Sequence, residues 1–119
     1  MAKLTRIAPE LPAANLQKAV TYYERKLGFR VAMQMPDGEY AVLERDDIAI
    51  HLFENAKRDQ PPVGIHIFTT EIESLHEEYR RNGALVSQGI VKKPWGNRDF
   101  RVTDEFGNVL KFTEPLQDE

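Results

Sequence analysis

An internal repeat restricts this chain to a fold that is built from two similar units. Four residues with helical spacing occur twice, first as Leu16, Ala19, Val20 and Tyr23 and then as Ile72, Leu75, His76 and Tyr79. Every member of the second set follows its counterpart by 56 residues, and each set predicts one amphipathic helix. Two helices in matching register indicate that the chain is a duplicated unit.

Residues that favour helix ends lie at both ends of each predicted helix. The side chain of Asn15 can accept a hydrogen bond from the first turn, and Gly28 can end the first helix in a left-handed conformation. Residues 70–73 have the capping-box pattern Thr-Glu-Ile-Glu that opens the second helix, and Gly83 follows its last residues. Both helices are therefore predicted from their ends as well as from their apolar faces.

The same order of strands is predicted around both helices. Strands fall at residues 5–12, 29–35, 40–44, 48–54, 63–69 and 85–91 and in a closing hairpin that contains Phe100, Val102, Leu110 and Phe112. A polar link at residues 55–62 ends in two prolines and separates the halves. We therefore predict a single α+β domain over residues 1–119, in which two βαβββ units, about 1–56 and 62–119, form a mostly antiparallel sheet with helices on one face. A ferredoxin-like domain with a chance repeat is the alternative, and the matching helix registers count against it.

Composition excludes several classes of protein. The chain has 119 residues and no cysteine, so one domain is expected, and disulfides, thiolate metal sites and cysteine nucleophiles are excluded. A net charge of −3 with interspersed signs predicts that nucleic acid is not a partner. The sequence has no apolar run long enough to cross a bilayer and no secretion-signal core near Met1, so we expect a cytoplasmic location with no membrane partner.

Strand alternation predicts a ligand-binding surface on the face of the sheet opposite the helices. The side chains that alternation leaves there are Tyr40, His51, Phe53, His66, Phe68 and Lys111. Because aromatic rings with a few polar groups are typical of ligand pockets, we interpret this face as a binding site. The alternatives are that both histidines are structural and that the lysine is a solvated edge residue.

Residues 94–112 combine a Trp-Gly loop, a strand, a tight turn and a closing strand. Trp95 lies in an irregular loop, where its indole either stacks on a ligand or covers the protein's own core. The turn has the pattern Asp-x-x-Gly-Asn at residues 104–108. This stretch resembles the closing signature of the glyoxalase/bleomycin-resistance/dioxygenase (vicinal oxygen chelate) superfamily. The resemblance implies a cup-shaped sheet with the helices outside and the ligand inside.

The resemblance also allows a test for a metal site. Enzymes of the superfamily hold a divalent metal with residues from four strands, and the matching positions here are Ala8, His51, Gly64 and Lys111. Alanine and glycine offer no side-chain donor, and a lysine ammonium opposes a divalent cation. A register shift would bring in Glu10 or His66, with Lys111 still at the usual carboxylate position. We therefore expect no metal and no other cofactor.

The resemblance is closest to the bleomycin-resistance branch, which has lost its metal. It rests on the Pro-Trp-Gly loop at residues 94–96, the Arg-Asp-Phe strand start at residues 98–100 and the Gly-Asn turn. It implies a homodimer that exchanges N-terminal strands and binds the drug in two interface clefts, with Tyr40 and Trp95 stacking on its flat heterocycles. The candidate ligand-binding residues are Tyr40, His51, Phe53, His66, Phe68, Trp95, Arg98, Phe100 and Lys111, and none is assigned a catalytic role.

Binding is therefore favoured over catalysis as the function. With no metal, thiol or recognisable nucleophile and base, no reaction can be assigned to these residues. The leading hypothesis is a metal-free protein that sequesters a bleomycin-like glycopeptide, although the net charge of −3 is modest for a partner of a cationic drug. The alternatives are a metal-dependent lyase, isomerase or dioxygenase that uses His51 and His66, and a binder of an unrelated metabolite.

Overall fold

The computed structural model describes residues 1–115 and has the predicted α+β fold of two similar units. The first unit consists of β1 (Glu10–Ala13), α1 (Leu16–Arg25), β2 (Arg30–Gln34), β3 (Tyr40–Arg45) and β4 (Ile48–Glu54). The second consists of β5 (Gly64–Phe68), α2 (Ile72–Asn82), β6 (Val86–Lys92), β7 (Arg98–Thr103) and β8 (Val109–Glu114). The βαβββ order of both units is thus confirmed. Residues 116–119 of the predicted second unit lie outside the described residues.

Each unit forms its own four-stranded sheet. The strand order is β1-β4-β3-β2 in the first sheet and β5-β8-β7-β6 in the second. The pairs β1–β4 and β5–β8 are parallel, and the other pairs are antiparallel. The register sets Glu10 opposite His51 in the first sheet and His66 opposite Lys111 in the second. Because directly opposed residues point to the same face, these pairs share a surface.

A common core lies between the helices and the sheets. Residues that the repeat relates, such as Tyr23 and Tyr79, are both buried, at 0% and 1% exposure. In β4, Ile50 and Leu52 are buried toward α1, as alternation predicts. The buried apolar residues of both units belong to one cluster, so the two halves share their core.

Polar contacts also join the two units. Tyr23 of α1 donates a hydrogen bond at 2.8 Å to Oδ2 of Asp104, which lies in the turn between β7 and β8. At the end of β3, Arg45 forms a bidentate ion pair with Glu78 of α2, with distances of 2.7 and 2.9 Å. The same guanidinium donates to the Leu27 carbonyl at 2.8 Å. Side chains of each unit therefore complete hydrogen bonds of the other.

The helix and strand ends differ from the sequence prediction in two places. Asn15 caps α1 as predicted, because its side chain accepts from the Lys18 amide at 3.1 Å. The capping box at Thr70 is wrong: α2 begins after Glu71, which has a φ of 49° and makes no side-chain cap. The strand predicted at residues 5–12 begins only at Glu10, because none of residues 1–9 is paired with a residue of a neighbouring strand. No helix within residues 1–115 has the length and apolar character needed to span a bilayer.

Candidate functional site

Each sheet has one face covered by its helix and one face turned away from it, which we call its open face. The first open face carries Glu10, Tyr40, Val42, His51 and Phe53. The second open face carries His66, Phe68, Gln88, Asp99, Arg101, Lys111 and Thr113. Six of the nine predicted ligand residues lie on these two faces, and they divide three and three between the sheets.

A hydrogen-bonded chain of three side chains crosses the first open face. The Tyr40 hydroxyl lies 2.6 Å from Oε2 of Glu10 and 2.6 Å from Nδ1 of His51. Because a carboxylate only accepts, Tyr40 donates its proton to Glu10, and His51 donates from Nδ1 to the phenol oxygen. Burial, followed by the contact with Glu10, raises the pKa of Tyr40 to about 12. The phenol therefore stays protonated at neutral pH.

The outer nitrogen of His51 is the unusual atom of this face. Nε2 is buried and has no hydrogen-bond partner among the described residues. The hydrogen bond at Nδ1 leaves Nε2 as a lone-pair acceptor. A buried polar atom without a partner costs about 1–3 kcal/mol, so such an atom is commonly completed by a ligand or water. His51 can therefore accept a hydrogen bond from a bound molecule.

The second open face is mainly cationic. Burial, followed by the nearby Lys111 ammonium, lowers the pKa of His66, so this ring is neutral at pH 7. Nε2 of His66 lies 2.7 Å from the Thr113 hydroxyl, and the ring packs against Phe68 with centroids 4.5 Å apart. Phe68 itself is 62% exposed. An exposed ring beside a fixed imidazole provides an aromatic surface for a ligand.

Two charged residues of this face were not among the predicted site residues. Asp99 is buried and accepts a hydrogen bond from the Gln88 amide at 2.9 Å, with the Lys93 ammonium 3.8 Å away. Arg101 has a buried Nε without a partner. The signal that would have found both is alternation in β7, because Asp99 and Arg101 lie on the face opposite Val102.

Trp95 lies at the tip of the hairpin between β6 and β7. The turn is closed by a hydrogen bond from the Gly96 amide to the Lys93 carbonyl at 2.9 Å, and Gly96 has a φ of 102°, which favours glycine. The indole is 64% exposed, so Trp95 does not cover the protein's own core. The exposed ring remains free to contact a ligand or a second chain.

Two predicted site residues, Arg98 and Phe100, do not lie on an open face. Phe100 is fully buried and stacks on Phe112 at 5.2 Å beneath α2. Arg98 forms ion pairs with Glu73 of α2 and with Glu114. Because alternation in β7 gives both residues the same side, Arg98 and Phe100 face the helix and stabilise the core and its edge.

The two grooves of the single chain overlap the open faces only at His66 and Phe68. A groove of about 630 Å³ runs between the two units past Arg45, Leu75 and Glu78. A second groove of about 470 Å³ is lined by residues 6–9, the β3–β4 turn and β5, including His66 and Phe68. Neither of these grooves is lined by Tyr40, Trp95 or Lys111. The predicted residues therefore do not form one closed pocket within the chain.

The register moves two of the metal-ligand positions that the family resemblance implied. Glu10, rather than Ala8, lies opposite His51. On β5, His66 lies opposite Lys111, whereas Gly64 lies on the same face one level away, opposite Val109. Glu10 and His66 are the two residues that a register shift of the predicted alignment brings in.

These residues still do not fit a divalent metal site. Glu10 and His51 both bond to Tyr40, and Lys111 occupies the position beside His66. Within residues 1–115, no three histidine, aspartate or glutamate side chains come together in an arrangement that could hold a metal ion. An ammonium beside the remaining imidazole would oppose a divalent cation.

Comparisons with known proteins agree with this architecture. A family model described as the glyoxalase/bleomycin resistance protein/dioxygenase superfamily matches residues 3–112. A bleomycin resistance protein of Geobacillus stearothermophilus and one of Staphylococcus aureus are each 27% identical to this chain, in an alignment 128 positions long that covers 92% of this chain and 96% of theirs.

Solved structures give the same result for the fold. The bleomycin-binding protein of bleomycin-producing Streptomyces verticillus, complexed with copper(II)-bleomycin, is 26% identical and has a TM-score of 0.78, covering 98% of this chain and 100% of that one. The bleomycin resistance determinant encoded on transposon Tn5 is 18% identical and has a TM-score of 0.82, covering 96% and 100%. With a family model that matches nearly the whole chain, the protein belongs to the glyoxalase/bleomycin resistance protein/dioxygenase superfamily.

Proposed function

We propose that this protein binds and sequesters a flat aromatic antibiotic of the bleomycin class and so confers resistance to it. The observation that carries the proposal is the pair of open faces: the first presents Tyr40 and Phe53 on the same side as the unpartnered Nε2 of His51, and the second presents Phe68. Rings of this kind stack on planar heterocycles, and a buried acceptor can take an N–H from the same ligand. The relatives named for bleomycin resistance and bleomycin binding support the same ligand class.

The binding unit that we propose is a homodimer. Each chain offers two separate open faces, and a ligand enclosed between two faces loses more contact with water than a ligand on one. Residues 1–9 support this assembly, because Met1, Leu4 and Ile7 are almost fully exposed and lie outside the strands. Such an apolar arm is stabilised if it exchanges onto a second chain. In this arrangement the protein acts in the cytoplasm, where it meets the drug before the drug reaches DNA.

Drug binding is tested through Trp95, because it is the only tryptophan of the chain. Titration with metal-free and copper-loaded bleomycin should quench its emission, and calorimetry should give one saturable event per cleft. Replacing Trp95 or Tyr40 by alanine should weaken binding by about 1–3 kcal/mol if the ring stacks on the drug. Lys18→Ala on the exposed surface of α1 is the control and should bind normally. Unchanged emission together with absent heat for both forms of the drug would refute the proposal.

A metal-dependent enzyme of the same superfamily is the competing function. The observation that favours it is the adjacency of Glu10 and His51, two groups that can ligate metals. Metal analysis of the purified protein separates the two functions. Stoichiometric nickel, zinc, manganese or iron that disappears in His51→Ala would favour the enzyme over sequestration. Absence of both metal and drug binding would favour the third alternative, a binder of an unrelated metabolite.

A further inference from the structure

Four side chains form a row across the second open face. His66 on β5 lies opposite Lys111 on β8, Lys111 lies opposite Arg101 on β7, and Arg101 lies opposite Gln88 on β6. Opposed residues on neighbouring strands share a face and lie about 5 Å apart. One level of the sheet therefore presents polar side chains from all four strands, and two of them, Arg101 and Lys111, are cations.

The two cations of the row have no carboxylate partner. No hydrogen bond or ion pair between described residues engages Arg101 or Lys111, and the buried Nε–H of Arg101 has no acceptor. The carboxylate on the same face is Asp99, which is occupied by the Gln88 amide and by the Lys93 ammonium. By contrast, Arg45 and Arg98, which are also partly buried, are each paired with glutamate. The row thus has a surplus of positive charge next to a buried donor that lacks its acceptor.

We propose that this row binds an oxyanion of the ligand, a carboxylate, sulfonate or phosphate carried on an aromatic ring system. The anion lies against Arg101 and Lys111, accepts hydrogen bonds from the guanidinium and from the lysine ammonium, and leaves the ring system to pack on Phe68. A planar guanidinium binds such oxygens through parallel hydrogen bonds. The inference depends on the proposed function only in that the open faces bind a small molecule, and it names an acidic ligand where the resemblance alone suggests a cationic one.

Naphthalene derivatives with one ring system and different charges test the proposal. Naphthoate, naphthalenesulfonate and naphthyl phosphate carry the three oxyanions, and naphthamide is the neutral match of naphthoate. Calorimetry on the wild-type protein should show tighter binding of at least one anion than of naphthamide. Arg101→Gln should weaken anion binding by about tenfold or more, the loss expected for a hydrogen bond between charged groups, with naphthamide unchanged.

Two further variants separate a binding role from loss of structure. Lys111→Gln should reduce the same preference, and Lys57→Gln, which removes an equal charge from the exposed link, should leave it intact. In nitrogen-15 spectra of the wild-type protein, the Nε–H resonance of Arg101 should shift on addition of the anion and not of naphthamide. Circular dichroism of each variant verifies that it is folded.

The outcomes of this inference and of the proposed function are distinguishable. Equal affinity for anions and naphthamide, absent anion binding, or a preference that survives Arg101→Gln overturns the oxyanion site even where bleomycin binds. If the protein prefers the anions and does not bind bleomycin, the oxyanion site is supported and the proposal that bleomycin is the ligand is refuted.

Discussion

Tyr23 and Tyr79 occupy equivalent positions in the repeat, yet removal of their hydroxyl groups should have different costs. Tyr23 donates at 2.8 Å to the buried carboxylate of Asp104, and burial together with that carboxylate raises the pKa of Tyr23. Tyr79 donates at 3.1 Å to the Leu27 carbonyl, which also accepts from Arg45 at 2.8 Å. The hydrogen bond of Tyr23 is to a charged group. Loss of the Tyr79 hydroxyl leaves the Leu27 carbonyl with Arg45 as a remaining donor.

Replacing each tyrosine by phenylalanine turns this difference into a measurement. Tyr23→Phe should lower the free energy of unfolding by about 1.5–3 kcal/mol, the range for a hydrogen bond to a charged group. Tyr79→Phe should lower it by about 0.5–1.5 kcal/mol, the range for a neutral pair, because the second contact of this hydroxyl, with the Arg45 guanidinium, is long at 3.5 Å. Both rings are buried to the same extent, so the loss of packing is matched. In urea denaturation, the first change should move the midpoint by about 1 M, with a slope of about 2 kcal/mol per molar urea.

A double-mutant cycle shows whether Asp104 causes the difference. Asp104 also accepts from the amides of Phe106 and Asn108 and from the Asn108 side chain, so Asp104→Ala alone should be strongly destabilising. In that background Tyr23→Phe should cost less than in the wild type, because its acceptor is already gone. Equal losses for the two tyrosines, or no coupling with Asp104, would refute this account of how the units are joined.

Three further predictions concern the contact between the two units and the first open face. Glu78→Gln should lower the free energy of unfolding by about 1 kcal/mol, and by less in high salt, because its ion pair with Arg45 is 25% and 35% exposed; an unchanged urea midpoint would contradict this. Gly28→Ala should be more destabilising than Gly38→Ala in the same assay. Both glycines have a φ near 75°, a backbone conformation that costs a residue with a side chain about 1–2 kcal/mol. Only at Gly28 would the added Cβ also approach the Arg45 side chain, to 2.6 Å. Absorbance titration should contain a phenol transition near pH 12 that Tyr40→Phe removes, and persistence of the transition in the variant would exclude the assignment. The raised pKa of Tyr40 contributes stability that is complete below about pH 10 and is lost as the pH rises toward 12.

Local patterns were sufficient to predict the two units. The 56-residue offset and the cap at Asn15 gave both helices, because helical spacing and capping depend on residues a few positions apart. Alternation likewise predicted that His51 and Phe53 lie opposite the buried face of β4, since neighbouring side chains on a strand point to opposite sides. The same rule applied to β7 would have replaced Arg98 and Phe100 by Asp99 and Arg101.

Only the tertiary structure decided which groups meet across strands and which stay without a partner. The register of β1 against β4 brings Glu10 to Tyr40 and His51, and no pattern within ten residues encodes that distance. The unpaired Nε–H of Arg101 is likewise a property of every group packed around it. Sequence thus determined the repeated unit and the faces of its elements, because those follow from local periodicity. The separation of the sheets and the charge balance of each open face depend on long-range packing, which local periodicity does not specify.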